Sequence, residues 1–147
     1  MNVMVCVDDK MGMMFHNRRQ SKDRIVREDM LALVLENLWV SPYTAKQFEE
    51  TEQERLLVAE DFLEQAKEGE YCFVEDADLC AYEERIERIV LYRWNRIYPA
   101  DTYFTISLSD FVLEGQTHLT GNSHPDIVRE VYTKKIEVRK DEVTDEE

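Results

Sequence analysis

IERIVLYRWNRIYPADTYF, residues 86–104, is the stretch of sequence that decides the fold. Its first half is rich in aliphatic and β-branched residues, and its second half is rich in aromatic ones. Pro99 interrupts the run, because proline cannot donate to a strand ladder. Strand-forming residues between the charged pair Glu83-Glu84 and a proline turn are typical of a buried central strand with its exit loop. We therefore predict a central strand over residues 86–94.

The rest of the chain alternates strand and helix patterns around this strand. Residues 2–7, NVMVCV, are apolar on both faces and predict a buried strand that opens the sheet. Further strands are predicted over 38–40, 56–59 and 71–74, helices over 24–35, 45–53, 61–67 and 79–84, and a long loop over 11–20. Ser21 and Thr44 are the predicted helix N-caps.

In the C-terminal third the strands are not separated by helix patterns. Two segments of alternating polarity, 107–113 and 126–138, predict an antiparallel pair of strands. The pattern as a whole predicts one α/β domain over residues 1–138. It should hold a mostly parallel twisted sheet with an antiparallel C-terminal edge and helices on both faces. Residues 139–147 are charged and are predicted to fray.

Composition narrows the function classes. The net charge of −14 disfavours a nucleic-acid partner, because neutralising phosphates requires surplus Lys and Arg. No apolar run approaches the roughly 20 residues that a membrane helix needs. The start of the chain shows no basic leader before an apolar segment, so we expect a cytoplasmic protein. The three cysteines are widely spaced and are predicted to be small buried hydrophobes.

Candidate ligand-binding residues gather in the basic segment 10–28. Arg18 and Arg19 form a pair suited to binding a carboxylate or a phosphate, although exposed loop residues would give the same pattern.

The three histidines lack metal-binding spacing, so no metal site is predicted. The acidic run after residue 74 lacks the alternation of a calcium loop and favours a solvated loop.

Several motifs together resemble the dihydrofolate reductase family from end to end. The first strand, NVMVCVD, leads to Gly12 and then to Asp23, and their separation is within a residue of the family's spacing between its loop glycine and its catalytic carboxylate. The segment YCFVEDADLCAYEERIERIVLYRWNRIYPADTYF is similar to the family's succession of strand, phosphate-binding turn, short helix and long strand. The closing Asp101-Thr102-Tyr103-Phe104 and the late Asn122-Ser123-His124 loop also follow the family pattern.

Departures from the family pattern fall on the cofactor side. The Gly-Gly turn that meets the cofactor phosphates is replaced by Glu75-Asp76 after Val74. Glycines allow close backbone approach, whereas each carboxylate here would repel a phosphate by roughly 1 kcal/mol at about 4 Å even in water. Of a second phosphate contact, Gly-Arg-Thr, only Thr44 remains, and the threonine that supports the catalytic carboxylate aligns with Tyr92.

The resemblance implies a set of site residues. Asp23 is the expected catalytic residue, able to protonate or anchor a pterin-like ring if desolvation raises its pKa, whereas a plain helix-start residue is the alternative. Thr44, Glu75 and Asp76 are the expected degenerate cofactor positions. The expected ligand-binding residues are Gly12, Met13, Arg18, Arg19, Tyr43, Thr44 and Tyr92.

Three functions remain open at this point. The first expectation is a divergent member that has lost nicotinamide-cofactor binding and acts as a small-ligand or protein-binding module. The alternative is an NADPH-dependent reductase of a pterin or related heterocycle with a rearranged phosphate site. A nucleic-acid-processing enzyme is third, disfavoured by the acidic charge and the missing metal ligands. The sequence leaves the ligand and the oligomeric state open.

Overall fold

The computed structural model describes residues 1–136, which form an α/β domain with a mostly parallel sheet, as predicted. The predicted frayed tail and the last two residues of the predicted final strand lie outside the described residues. The strands are β1 (Asn2–Val7), β2 (Gly12–Phe15), β3 (Arg18–Arg19), β4 (Leu38–Val40), β5 (Leu56–Val58), β6 (Tyr71–Phe73), β7 (Arg88–Arg93), β8 (Thr102–Tyr103), β9 (Phe111–Leu119) and β10 (Ile127–Lys134). The α-helices are α1 (Arg24–Val34), α2 (Pro42–Ala45) and α3 (Phe62–Gln65).

The main sheet has seven strands in the order β5-β4-β6-β1-β7-β10-β9. β1 lies at the centre and pairs in parallel with both β6 and β7. β10 runs antiparallel to β7 and to β9, which gives the predicted antiparallel C-terminal edge. The central strand of the opening stretch is therefore β7, adjacent to β1 and buried along its middle.

Both faces of the sheet carry a hydrophobic core, because the side chains of a strand alternate between its faces. Val3, Val5 and Val7 of β1 pack on one face with Phe62 and Leu63 of α3. Met4 packs on the opposite face with residues of α1, namely Val26, Met30, Leu31 and Val34. The helices thus lie on both faces, and burial on both sides explains why β1 is apolar without alternation.

Several helix bounds and caps differ from the prediction. The predicted helix 45–53 is wrong: α2 ends at Ala45, and a separate 3₁₀ helix covers Glu50–Arg55. Ser41 caps α2 by accepting from the Thr44 amide, so Thr44 lies inside the helix rather than at its cap. The cap of α1 is Asp23 and not Ser21. The predicted helix at 79–84 is a 3₁₀ helix over Cys80–Arg85. The predicted strand 107–113 is correct only from Phe111 onward, because a further 3₁₀ helix covers Leu108–Asp110.

The predicted loop 11–20 is largely a β-hairpin. β2 and β3 pair antiparallel through a two-residue turn at His16 and Asn17, whose φ angles are 50° and 60°. Two positive φ values define the type I′ turn, which is usually marked by Asn-Gly, so this turn lacked its common sequence signal. β8 pairs with the other edge of β2, and the three strands form a small second sheet, hereafter the hairpin sheet.

The exposure of the cysteines and the length of the helices bear on two further expectations. Cys72 is buried and Cys6 is half-buried, but Cys80 is exposed, so the prediction of three buried cysteines is wrong for Cys80. Between residues 1 and 136, every helix is too short or too polar to cross a membrane.

The C-terminal end of α1 generates a stability prediction. Leu35 follows the helix with a φ of 64° and is 85% exposed, so it is strained and contributes little to the core. Leu35→Gly should raise the free energy of unfolding by about 1 kcal/mol, because glycine adopts positive φ without a Cβ penalty. Urea denaturation measures the change. The control Ala32→Gly, at an exposed position inside α1, should lower stability by about 1 kcal/mol, and a loss of stability in Leu35→Gly would contradict the strain assignment.

Candidate functional site

The candidate site lies where β1 and β6 end, beneath the hairpin sheet. Cys6, Trp94 and Val74 form its floor, and the cover comes from residues 13 and 19–21. The space they enclose is about 10 Å³. A cavity of this size is close to the minimum that holds one water molecule, so a bound heterocycle has no room beneath the closed hairpin sheet.

The Glu75 carboxylate is held in this site by an ion pair and further hydrogen bonds. It lies directly after β6, is 8% exposed, and accepts two hydrogen bonds from Arg19, at 2.8 Å from Nε and 3.0 Å from Nη2. Thr44 Oγ1 donates to it at 2.8 Å and Gln47 Nε2 at 3.0 Å. A buried carboxylate is tolerated only when it is paired and hydrogen-bonded, and this one has four donors.

Arg19 is held in place by more than its ion pair. Its guanidinium lies over the Tyr43 ring, 4.3 Å from the ring centroid, and its backbone amide donates to the Tyr43 hydroxyl at 3.3 Å. Burial by itself would lower the pKa of the Arg19 guanidinium, but the hydrogen bonds and the negative charge of Glu75 outweigh it and raise that pKa. Since Arg19 belongs to β3, this ion pair ties the hairpin sheet to the end of β6.

Asp23 has its acceptor positions filled by the protein itself. Its Oδ1 accepts from the amides of Ile25 and Val26 at the start of α1, at 2.9 and 3.2 Å. Its Oδ2 accepts from the Ser123 amide at 2.7 Å and from Ser123 Oγ at 2.6 Å. Burial alone would raise the pKa of Asp23, but the Ser123 and helix-start hydrogen bonds outweigh it and lower the pKa. The condition set for a catalytic Asp23, a pKa raised by desolvation, is therefore not met, and the carboxylate caps α1.

The loop that holds Asp23 is fixed by a chain of hydrogen bonds. Ser123 Oγ lies 2.7 Å from His124 Nδ1, and His124 Nε2 lies 2.5 Å from the Tyr98 hydroxyl. The His124 ring is buried and stacks on Trp94, with 4.7 Å between the ring centroids. Burial is the main cause that lowers the pKa of His124, with a contribution from the charge of Arg96. Because this loop joins β9 to β10, the network closes the site from the antiparallel edge.

Gly121 shows why this loop approaches Asp23 so closely. A Cβ at that position would overlap Asp23 Oδ2 and the side chain of Ile127. Gly12 has the same role in the hairpin sheet, since a Cβ there would lie 2.6 Å from the Cβ of Ala100. At both positions glycine allows the backbone to approach a neighbouring side chain more closely than a residue with a Cβ could.

The other predicted site residues divide between the cavity and its surroundings. Met13 is buried and lines the cavity, whereas Arg18 and Asp76 are exposed to solvent. Tyr92 is fully buried in the core beneath α1, donates its hydroxyl to Asp29 Oδ2 at 2.7 Å, and does not line the cavity. Burial and the neighbouring Asp29 carboxylate raise the pKa of the Tyr92 hydroxyl. The Glu75 site also contains Gln47, which was not predicted as a site residue.

Comparisons with known proteins assign no function to the residues of this site. The sequence matches no known protein-family model and no curated protein. In the part of the chain that the structure describes, no three His, Cys, Asp or Glu side chains are grouped so as to hold a metal ion.

The Asp23 environment generates a pH-dependent prediction. The folded-state pKa of Asp23 lies below its unfolded value of about 3.9, so the carboxylate stabilises the fold above that pH and loses this effect as pH falls through the folded pKa. Asp23→Asn should cost about 1–3 kcal/mol at neutral pH, and the difference from the wild type should shrink in acid. Denaturant unfolding at several pH values measures it.

Asp61→Asn provides the control for this prediction. Asp61 also precedes a helix, but its side chain accepts from Gln65 Nε2, at 2.6 Å, and from none of the backbone amides of that helix. We expect a change of less than about 0.5 kcal/mol at neutral pH. A constant difference between Asp23→Asn and the wild type at every pH would contradict the ionised cap.

Proposed function

We propose that this protein is a divergent dihydrofolate reductase-like protein that has lost nicotinamide-cofactor binding and acts as a protein-binding module. The sequence resemblance is supported by where its motifs lie. Gly12 begins the hairpin sheet after β1, Asp23 stands at the start of α1, and the segment 101–104 pairs with β2 through β8. The arrangement is that of a covered cleft beside the central strand.

The observation that carries the proposal is the position of the Glu75 carboxylate. The resemblance places cofactor phosphates at the turn after Val74, and Glu75 puts its own negative charge there. The donors that could hold a phosphate oxygen, Arg19, Thr44 and Gln47, already donate to this carboxylate. A phosphate would therefore have to displace Glu75 and leave a buried carboxylate unpaired, which is costly.

The closed cleft favours a protein partner over a small ligand. The hairpin sheet is fixed on one side by the β2–β8 pairing and on the other by the Arg19–Glu75 ion pair. Beneath it the cavity of about 10 Å³ holds no more than a water molecule. Recognition by the outer surface requires neither contact to be broken, whereas a ligand in the cleft requires both to move.

The alternative function, an NADPH-dependent reductase, requires an open cleft. Hydride transfer needs a dinucleotide in the cleft, so both the hairpin sheet and Glu75 would have to move. A nucleic-acid-processing function is disfavoured by the net charge of −14.

A cofactor titration separates the proposed module from a reductase. Because its phosphate position is filled by Glu75, the wild-type protein should show no shift in melting temperature and no change in NADPH fluorescence at millimolar NADPH. Saturable binding at micromolar NADPH would contradict the proposal and favour the reductase.

A double substitution tests the blocking role of Glu75 directly. Replacing Glu75 and Asp76 together by Gly-Gly should raise the affinity for NADPH more than about tenfold, because Arg19, Thr44 and Gln47 become available to the phosphates. Calorimetric titration measures the change.

Asp76→Gly alone is the matched control for the double variant. It introduces a glycine in the same turn but leaves the Glu75 contacts intact, so it should bind NADPH no better than the wild type. An equal gain in the single and double variants would assign the block to the backbone of the turn. No gain in a folded double variant would show that Glu75 is not the obstacle.

A further inference from the structure

Within residues 1–136, strand β9 forms a long unpaired edge of the main sheet. β9 is the last strand in the order, with β10 on one side and no strand of residues 1–136 on the other. Seven consecutive residues, 112–118, are exposed along it. Such an edge presents a row of unpaired amides and carbonyls and is a ready template for another strand.

This edge lacks most of the usual protection against pairing. Natural edge strands are commonly blocked by lysine, proline or a bulge. β9 contains neither Lys nor Pro, and its one irregularity, at Glu114, precedes the five-residue segment Gly115–Leu119. That segment has no Asp, Glu, Lys or Arg, although the chain carries 32 acidic and 18 basic residues. It is the part of β9 most open to pairing.

The segment is complementary to its own copy in one antiparallel register. With a twofold axis at Thr117, the Thr117 side chains of the two copies lie opposite each other and Gln116 lies opposite His118 of the second copy. Leu119 then lies opposite Gly115 of the other chain. The space beside Gly115 is free, because a Cβ added there would have no atom of its own chain within 4 Å. Opposed threonines and polar pairs of this kind stabilise antiparallel strands.

The contacts within each chain leave this register possible. His118 Nε2 lies 3.1 Å from Asp126 Oδ1 of its own chain, which leaves its Nδ1 as an acceptor. Gln116 Nε2 donates one hydrogen to Glu130 at 2.8 Å, so its second hydrogen can be donated to His118 Nδ1 of the second copy. Thr117 Oγ1 accepts from Arg129 Nη2 at 3.0 Å, so its hydroxyl hydrogen can be donated across the axis.

We propose that the protein forms a homodimer in which β9 pairs antiparallel with β9 of a second copy about an axis at Thr117. An uncharged, self-complementary segment favours a second copy, because a charged partner finds no opposite charge there. This inference goes beyond the proposed function and does not depend on it.

Sedimentation equilibrium from micromolar to near-millimolar concentration tests the dimer. The wild type should dimerise, and Thr117→Glu should weaken dimerisation at least about tenfold, because two carboxylates meet at the axis. The fold should tolerate this change, because residue 117 is exposed on β9. Val112→Glu is the control: it adds the same charge to an exposed β9 position outside the proposed register, so dimerisation should persist.

Oxidative cross-linking tests the register in a second way. Directly opposed residues of antiparallel strands lie about 4.5–5.5 Å apart at Cα, within the range of a disulfide. In a background with the exposed Cys80 replaced by Ser, Thr117→Cys should form a disulfide-linked dimer on oxidation and Val112→Cys should not. A monomeric wild type at every concentration, an undiminished Thr117→Glu dimer, or equal cross-linking of the two cysteine variants would each overturn the proposal.

Discussion

The ion pair between Arg19 and Glu75 is the contact on which the arrangement of the site depends. It joins two segments that are 56 residues apart in the chain, the hairpin sheet and the end of β6. Glu75 is 8% exposed, so losing its partner would leave a nearly buried charge uncompensated, which is far more costly than losing a surface pair. The Arg19–Glu75 ion pair therefore holds the hairpin sheet over the end of β6.

A second carboxylate closes the other side in the same manner. Asp23 accepts hydrogen bonds from the start of α1 and from Ser123, and so fastens the β9–β10 loop across the end of the helix. A general acid must offer its proton or a free acceptor to a substrate. Both buried carboxylates of this site instead satisfy hydrogen-bond donors of the protein, and this is the physical basis for proposing a binding module rather than a catalyst.

The sequence predicted those parts of the fold that depend on local pattern. β1 and β7 are long apolar runs, and α1 has clear helical spacing, so their positions are within a few residues of the prediction. The hairpin sheet was missed because its turn uses His16-Asn17, and the helix at 45–53 was wrong because Ser41 rather than Thr44 supplies the cap. The charge and the altered turn at Glu75 were visible in the sequence. Its four hydrogen bonds were not, because Arg19, Thr44 and Gln47 come from distant segments.

In the proposed function, the Glu75 carboxylate takes the place of a cofactor phosphate. A crystal structure of the wild-type protein grown with excess NADPH tests it most directly. We expect no dinucleotide in the cleft, with the Glu75 carboxylate still bound to Arg19, Thr44 and Gln47. Density for a pyrophosphate against the backbone after Val74, with Glu75 turned away, would contradict it.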